Sequence, residues 1–198
     1  MRASTKAIVR EHGRGLPEYD DSSESDVFVF SDADDLVKTG EGLDAASGAV
    51  VVTYRARTEG GFARIERHEL GGQSHFVVRT ADNVVSIYGH AAEARVADPD
   101  DPKRVFQWML QEQRDDRGNI VVYRYKAEDV VGVDIGSASE RGRTGAQSQR
   151  YPKRILYGNR AVPGAADPQR FTTHCDHYNA ALEAAYAFML RLRCGPAL

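Results

Sequence analysis

The sequence predicts a mainly β fold: antiparallel hairpins of a curved sheet, with one mid-chain helix and a C-terminal helix. Three observations carry that expectation. Segments rich in Val, Ile, Phe and Tyr recur with apolar and polar residues alternating, the period of a half-buried strand. Gly, Asp and Asn separate them, the residues that tight turns require. Only the stretches 103–114 and 179–194 carry apolar residues at helical spacing.

The first strand is Asp26-Val27-Phe28-Val29-Phe30, followed by an acidic turn at Ser31-Asp32-Ala33-Asp34-Asp35. Residues 48–57 give a second strand and 62–70 a third, whose alternation sends Phe62, Ile65 or their neighbours to one face and charges to the other. The strands 75–80 and 83–89 form a hairpin about Ala81-Asp82-Asn83. Asp98-Pro99-Asp100-Asp101-Pro102 then breaks the pattern, and Asp101 before Pro102 has the form of a helix N-cap. Val105, Trp108, Met109 and Glu112 extend it into an amphipathic helix over 103–114, stopped at Gly118. Strands follow at 120–126 and 151–159, around a Gly/Ser/Arg-rich loop at 136–149. Leu182, Tyr186, Met189 and Leu190 mark the last helix, ended by Gly195-Pro196. The domain reading is therefore a β-rich domain over 1–163, a linker over 164–178 and a helical tail over 179–198.

Composition excludes several classes. With 198 residues, 41% hydrophobic and 28% charged, the chain suits a soluble globular domain or a piece of something larger. A net charge of -3 offers no electrostatic footprint for nucleic acid. Its apolar runs are too short or interrupted to span a bilayer, and no apolar run follows Met1 as a Sec signal requires. Cys175 and Cys194 alone make no disulfide framework.

The motifs that invite chemistry each have a plainer reading. Asp32, Asp34 and Asp35 suggest hard oxygen ligands for calcium, but lack the glycine and closing glutamate of an EF-hand and fit a solvated turn. His174-Cys175-Asp176-His177 with Cys194 offers zinc-type ligands at a spacing that matches no finger, ribbon or knuckle. Gly60-Gly61 and Gly71-Gly72-Gln73 lack a following Gly-Lys-Ser/Thr and read as turns, not phosphate cradles. Tyr123 and Tyr125 suit cross-strand packing better than base stacking. His68, His75 and His90 are the acid/base candidates of a hydrolase or transferase reading, without a paired acid at fixed spacing. No catalytic, cofactor-binding or metal residue is assigned, and no cofactor is expected.

Longer phrases point to a family. Arg14-Gly15-Leu16-Pro17-Glu18-Tyr19, the run Glu24 to Ser31, Tyr54 to Arg67, Arg104 to Leu110, Asp116-Arg117-Gly118-Asn119 before Tyr123-Arg124-Tyr125, and Tyr151 to Arg160 occur in family order. Over residues 8–163 the chain resembles the N-terminal domain of the SpvB/TcB family, the Salmonella virulence plasmid B protein and the B component of insecticidal toxin complexes. The Gly-Asn turn and alternating tyrosines also resemble YD/Rhs shell repeats. The resemblance implies a hollow β-shell around a toxic C-terminal polypeptide, followed by a β-propeller that docks on a pore component. It implies toxin-complex components, or downstream regions of the same protein, as partners. It also implies an extracellular protein, with cytoplasmic stages before release or in the host. The family's actin ADP-ribosyltransferase chemistry needs a Glu-x-Glu pair, and no two glutamates here are two residues apart.

The chain departs from the family before Ala7, where a Gly-rich strand region is expected, and after Pro163, where helical spacing replaces further strands. The resulting expectation is a structural, non-catalytic shell segment, partial with respect to its domain. Two alternatives stand beside it: a stand-alone β module that pairs its open edges with a separately encoded toxin component, and the histidine-based enzyme.

Overall fold

Alternation sorts each strand into two rows of side chains, and closure of the sheet brings one row from every strand into a common core. The computed structural model describes residues 6–12, 15–21, 23, 25–30, 35–58, 61–129, 134, 136–138, 148–161, 169–176 and 193–196. Its strands are β1 (Ala7–Glu11), β2 (Val27–Phe30), β3 (Asp35–Leu43), β4 (Val50–Ala56), β5 (Arg64–Leu70), β6 (Gln73–Arg79), β7 (Val85–Tyr88), β8 (Arg95–Ala97), β9 (Val105–Arg114), β10 (Ile120–Ala127), β11 (Arg150–Ala161), β12 (Gln169–Asp176) and β13 (Arg193–Pro196). Strands β1 to β7 pair in sequence order, β7 pairs with β9, and β9 returns to β1 through Ile8 opposite Trp108. The result is a closed antiparallel barrel of eight strands. The 3-10 turn Ala92–Ala94 leads into β8, which takes up the edge of β9 beyond β7. Strands β10 to β13 extend as a sheet from the far end of β9.

Every strand of the ring gives the core at least one buried apolar side chain. Ile8, Phe28, Leu36, Val52, Tyr54, Ile65, Phe76, Val78, Tyr88, Val105, Trp108 and Leu110 form one cluster. Phe28 stands at its centre, edge-on to Tyr54, Phe76 and Trp108 at centroid distances of 5.6, 5.3 and 5.6 Å. Such edge-to-face pairs add about 0.5–1.5 kcal/mol each to the burial of the rings. The Trp108 indole N–H donates to the Ser74 carbonyl at 3.0 Å, so the ring is fixed in angle as well as in place. A smaller cluster of Ala7, Ala94, Val96, Met109 and Tyr125 covers the outside of the β1–β9 seam.

The predicted helix over 103–114 is a strand. Asp101 caps no helix: its carboxylate accepts the Lys103 N–H and its carbonyl the Arg104 N–H in a tight turn. Two bulges explain the misleading spacing. Opposite β8, Gln107 pairs with Val96 but Val105 with Ala97, so Phe106 is the extra residue and Val105 and Trp108 share a face three positions apart. Opposite β7, Glu112 pairs with Ile87 but Leu110 with Tyr88, which makes Gln111 the second extra residue. Met109, on the other face, is buried in the second cluster. A bulged strand buried on both faces therefore imitates an i, i+3, i+4 pattern.

Asp115 to Asn119 is accordingly a hairpin turn rather than a helix end, with the Asp115 carboxylate accepting the N–H groups of Arg117 and Asn119 and the Asn119 side-chain amide. These bonds hold the Asp115 carboxyl below its ordinary value, the Asn119 amide chiefly. The linker expected over 164–178 contains β12, paired with β11 along its length. Most of the expected C-terminal helix, 179–192, lies outside the described residues, and its last two positions, Arg193 and Cys194, begin strand β13. The hairpin expected about residues 81–83 is present as β6 and β7, with Asn83 at φ 58.

Charges enter the barrel on the inward rows of β1 and β5. Arg10, 3% exposed, follows Ile8 by two residues, and Arg67 follows Ile65 by two. Both guanidinium groups lie 4.9 Å from the Phe28 ring centroid. Asp21 bridges them, 2.6 Å from Arg10 and 3.0 Å from Arg67, and Asp26 pairs with Arg10 at 3.1 Å. Asp26 also accepts the N–H groups of Glu18 and Tyr19, which ties the segment after β1 to the barrel.

Candidate functional site

The β5–β6 hairpin positions the site's first two residues. Gly71 and Gly72 both have positive φ, 60 and 77, the geometry of a two-residue type I′ turn. This turn sets Leu70 opposite Gln73 and therefore His68 opposite His75. Arg67 and Phe76 belong to the inward row, so the histidine pair falls on the outer face. Its rings stack at 5.1 Å with 19° between planes. His90, just past β7, meets His75 edge-on at 4.8 Å.

These three histidines line a cavity of about 450 Å³ with Asp44, Ser47, Ala49, Leu70, Gln73, Ser74 and Arg95. Arg95 is 8% exposed, and among the described residues its side chain forms no ion pair or hydrogen bond. Burial lowers its pKa. His68 has its Nε2 buried without a hydrogen-bond partner among the described residues, the Glu66 carboxylate standing 3.9 Å away. Asp44 also lines the cavity, its carboxylate accepting the Ser47 hydroxyl at 2.5 Å and the N–H groups of Ala46 and Ser47. Those bonds lower its pKa, the Ser47 hydroxyl foremost.

His75 is held neutral. Burial first, then the positive fields of His90, His68 and Arg95, bring its pKa down to about 4. An unfolded histidine takes its proton near 6.5, so the native state binds fewer protons between that pH and about 4 and loses stability as pH falls through the window. Because His75 is only partly buried, the expected loss from pH 7 to pH 5 is on the order of 1 kcal/mol. Urea unfolding at the two pH values measures it, and His75→Gln should remove most of the difference.

The structure thus brings His68, His75 and His90 together, while the other sequence candidates stand apart. Asp32 and Asp34 lie outside the described residues, and Asp35 opens β3 with its carboxylate 3.1 Å from Arg57. His174, Cys175 and Asp176 are on β12 and His177 lies outside the described residues. Cys194, expected at a helix end, is on β13 with its Cα opposite that of Cys175. Tyr125 is buried in the outer cluster, its hydroxyl donating to the Leu110 carbonyl, and Tyr123 packs between the two clusters. Among the described residues no group of three or more His, Cys, Asp or Glu is arranged to hold a metal ion, and no helix is long and apolar enough to cross a membrane.

Fold and site together define a closed antiparallel barrel domain with a histidine-lined pocket on its outer face. The family model described as Salmonella virulence plasmid 65kDa B protein, SpvB, matches residues 1–192. The chain belongs to the SpvB family. Its sequence is 31% identical over 178 residues to the protein named Mono(ADP-ribosyl)transferase SpvB of Salmonella typhimurium, and equally to that of Salmonella dublin. Each match covers 82% of this chain and 29% of the relative, so the chain spans under a third of the relatives' length. The solved N-terminal domain of effector protein SpvB from Salmonella typhimurium strain LT2 superposes with a TM-score of 0.72 at 26% identity, over 87% of this chain and 60% of that one. TcdB2-TccC3 superposes with a TM-score of 0.73 at 25% identity, and the Photorhabdus luminescens Tc holotoxin pore with 0.72 at 26%. Each covers 87% of this chain and 9% of the larger one.

Proposed function

We propose that this chain is a non-catalytic structural segment of a secreted toxin-complex or virulence protein, part of the N-terminal domain and one portion of a β-shell around a toxic polypeptide. The observation that carries the reading is the closed eight-stranded barrel, which is shared with an SpvB N-terminal domain and, as 9% of a far longer chain, with TcdB2-TccC3. Apolar side chains left in solvent are consistent with further contacts: Leu43 is 72% exposed and Phe62 78% exposed. The partners in this reading are other toxin-complex components or downstream regions of the same protein, and its place of action is extracellular. ADP-ribosyl transfer belongs to the relatives' names and is not assigned to this chain. The histidine trio favours a pocket that binds over one that catalyses, since a pKa of about 4 makes His75 a weak base and, among the described residues, no carboxylate is within hydrogen-bond reach of His68 Nε2.

The test is co-expression with the remaining shell region of a TcdB2-TccC3-type protein, followed by size-exclusion chromatography and an NAD+ turnover assay. Co-elution without turnover by the chain alone is expected. Separate elution, or NAD+ consumption by the purified chain, overturns the reading.

A further inference from the structure

We infer that the outer-face pocket is a carboxylate-binding site, in which Arg95 takes the carboxylate and His75 and His90 close on it. The strongest ground is Arg95 itself. A guanidinium largely withdrawn from bulk water ordinarily has a carboxylate or phosphate opposite it, because it has lost part of its hydration without a partner to replace it. Arg10 and Arg67 obey that rule in this same barrel, through Asp21, Asp26 and Glu69. Arg95 does not among the described residues, and it opens on a cavity large enough for a small organic acid.

The remaining walls agree. His68 Nε2 is a buried nitrogen without a bond, and His90 stands edge-on to His75 beside it. Asp44 and Glu66 are the acidic groups near the histidines, and neither neutralises Arg95. Asp44 is occupied by Ser47 and Ala46, and Glu66 lies within salt-bridge distance of Arg64 and Arg79. Lys103, whose side chain packs against Gly72 at the hairpin tip, adds a further positive charge to this end. Ala49 and Leu70 supply apolar surface that a bare inorganic ion leaves uncovered, which favours a carboxylate carried on a short carbon chain. The carboxylate belongs either to a free acid or to an acidic side chain of a neighbouring polypeptide.

An anion beside Arg95 offsets the positive field that, after burial, lowers the His75 pKa, so binding and protonation are coupled and affinity rises as pH falls from 7 to 5. The test is the NMR titration of the histidine ring protons in the full chain, with and without 20 mM succinate at matched ionic strength. Succinate is expected to raise the His75 midpoint by about one unit, and Arg95→Gln to abolish the effect. Arg95→Lys, which keeps the charge but not the two-pronged fork, should weaken succinate binding severalfold and serves if the glutamine variant does not fold. A glutamate side chain in a blocked peptide, titrated in parallel, separates a polypeptide ligand from a free acid. No shift, an equal shift with chloride or inorganic phosphate, or a full shift in either Arg95 variant overturns the assignment.

Discussion

Replacing Asp26 by alanine is expected to destabilise the domain by about 3 kcal/mol, read as a lower urea midpoint at pH 7. The carboxylate is buried and engaged on both oxygens: Arg10 at 3.1 Å and Tyr19 N–H at 2.8 Å on one, Glu18 N–H at 3.0 Å on the other. Its removal takes one of two carboxylates from a guanidinium that also donates to the Val105 carbonyl inside the barrel. Breaking one side of a buried pair costs about 3–5 kcal/mol, and the lower end applies because Arg10 keeps Asp21. A loss below about 1 kcal/mol would mean that the segment from Gly15 to Asp21 is held by other contacts.

Asp26→Asn separates charge from shape. Burial alone raises the Asp26 carboxyl, but the N–H groups of Glu18 and Tyr19 and the Arg10 guanidinium outweigh it and hold it below its ordinary value. A carboxyl depressed in the folded state stabilises above its unfolded pKa and loses that contribution as pH falls through the folded value. The wild type therefore weakens in acid below about pH 4 through Asp26, and the asparagine variant should be less stable at neutral pH but flatter across that range. This acid limb lies below the His75 window, so the two are resolved by pH.

Much of the barrel was legible in the sequence, because β4 and β7 alternate buried with less buried residues and turn residues bound β2, β5 and β6. What escaped reading did so for identifiable reasons. In β3 only Leu36 is fully buried; Thr39, Glu41 and Leu43 face solvent, and pairing with β4 rather than apolar alternation makes it a strand. In β1 both Ala7 and Ile8 are buried, one under each cluster, so a five-residue segment shows no period. The bulges at Phe106 and Gln111 hid β9. The histidine pair was within reach, since a turn at Gly71-Gly72 fixes residue 68 opposite 75, but His90 and Arg95 join it only once β7 and β8 follow β9 around the ring. Arg10 and Arg67 carried a signal in their parity with Ile8 and Ile65. Their partners at Asp21 and Asp26 lie in a loop that no periodicity describes.

Gly89→Ala is expected to cost about 3 kcal/mol, from roughly 1 kcal/mol of left-handed backbone and about 2 kcal/mol of overpacking. Gly89 has φ 67, and a Cβ placed there would meet Cδ1, Cβ and Cγ of Trp108, all within 3.0 Å. The indole has nowhere to go: it is 0% exposed, edge-on to Phe28 and Phe76, and bonded to Ser74. Gly118→Ala is the control, because Gly118 has φ 82 but open space where the methyl would stand, and should lose only the backbone contribution. A second comparison isolates the ring's share of the contact: on a Trp108→Ala background, itself about 3–5 kcal/mol less stable, the Gly89→Ala cost should lose the part due to Cδ1 and Cγ and keep the part due to Cβ, which alanine retains. Equal costs for Gly89→Ala and Gly118→Ala in the wild-type background would show that the barrel yields at this point, and that closure of β7 onto β9 does not depend on the close approach of Gly89 to the indole.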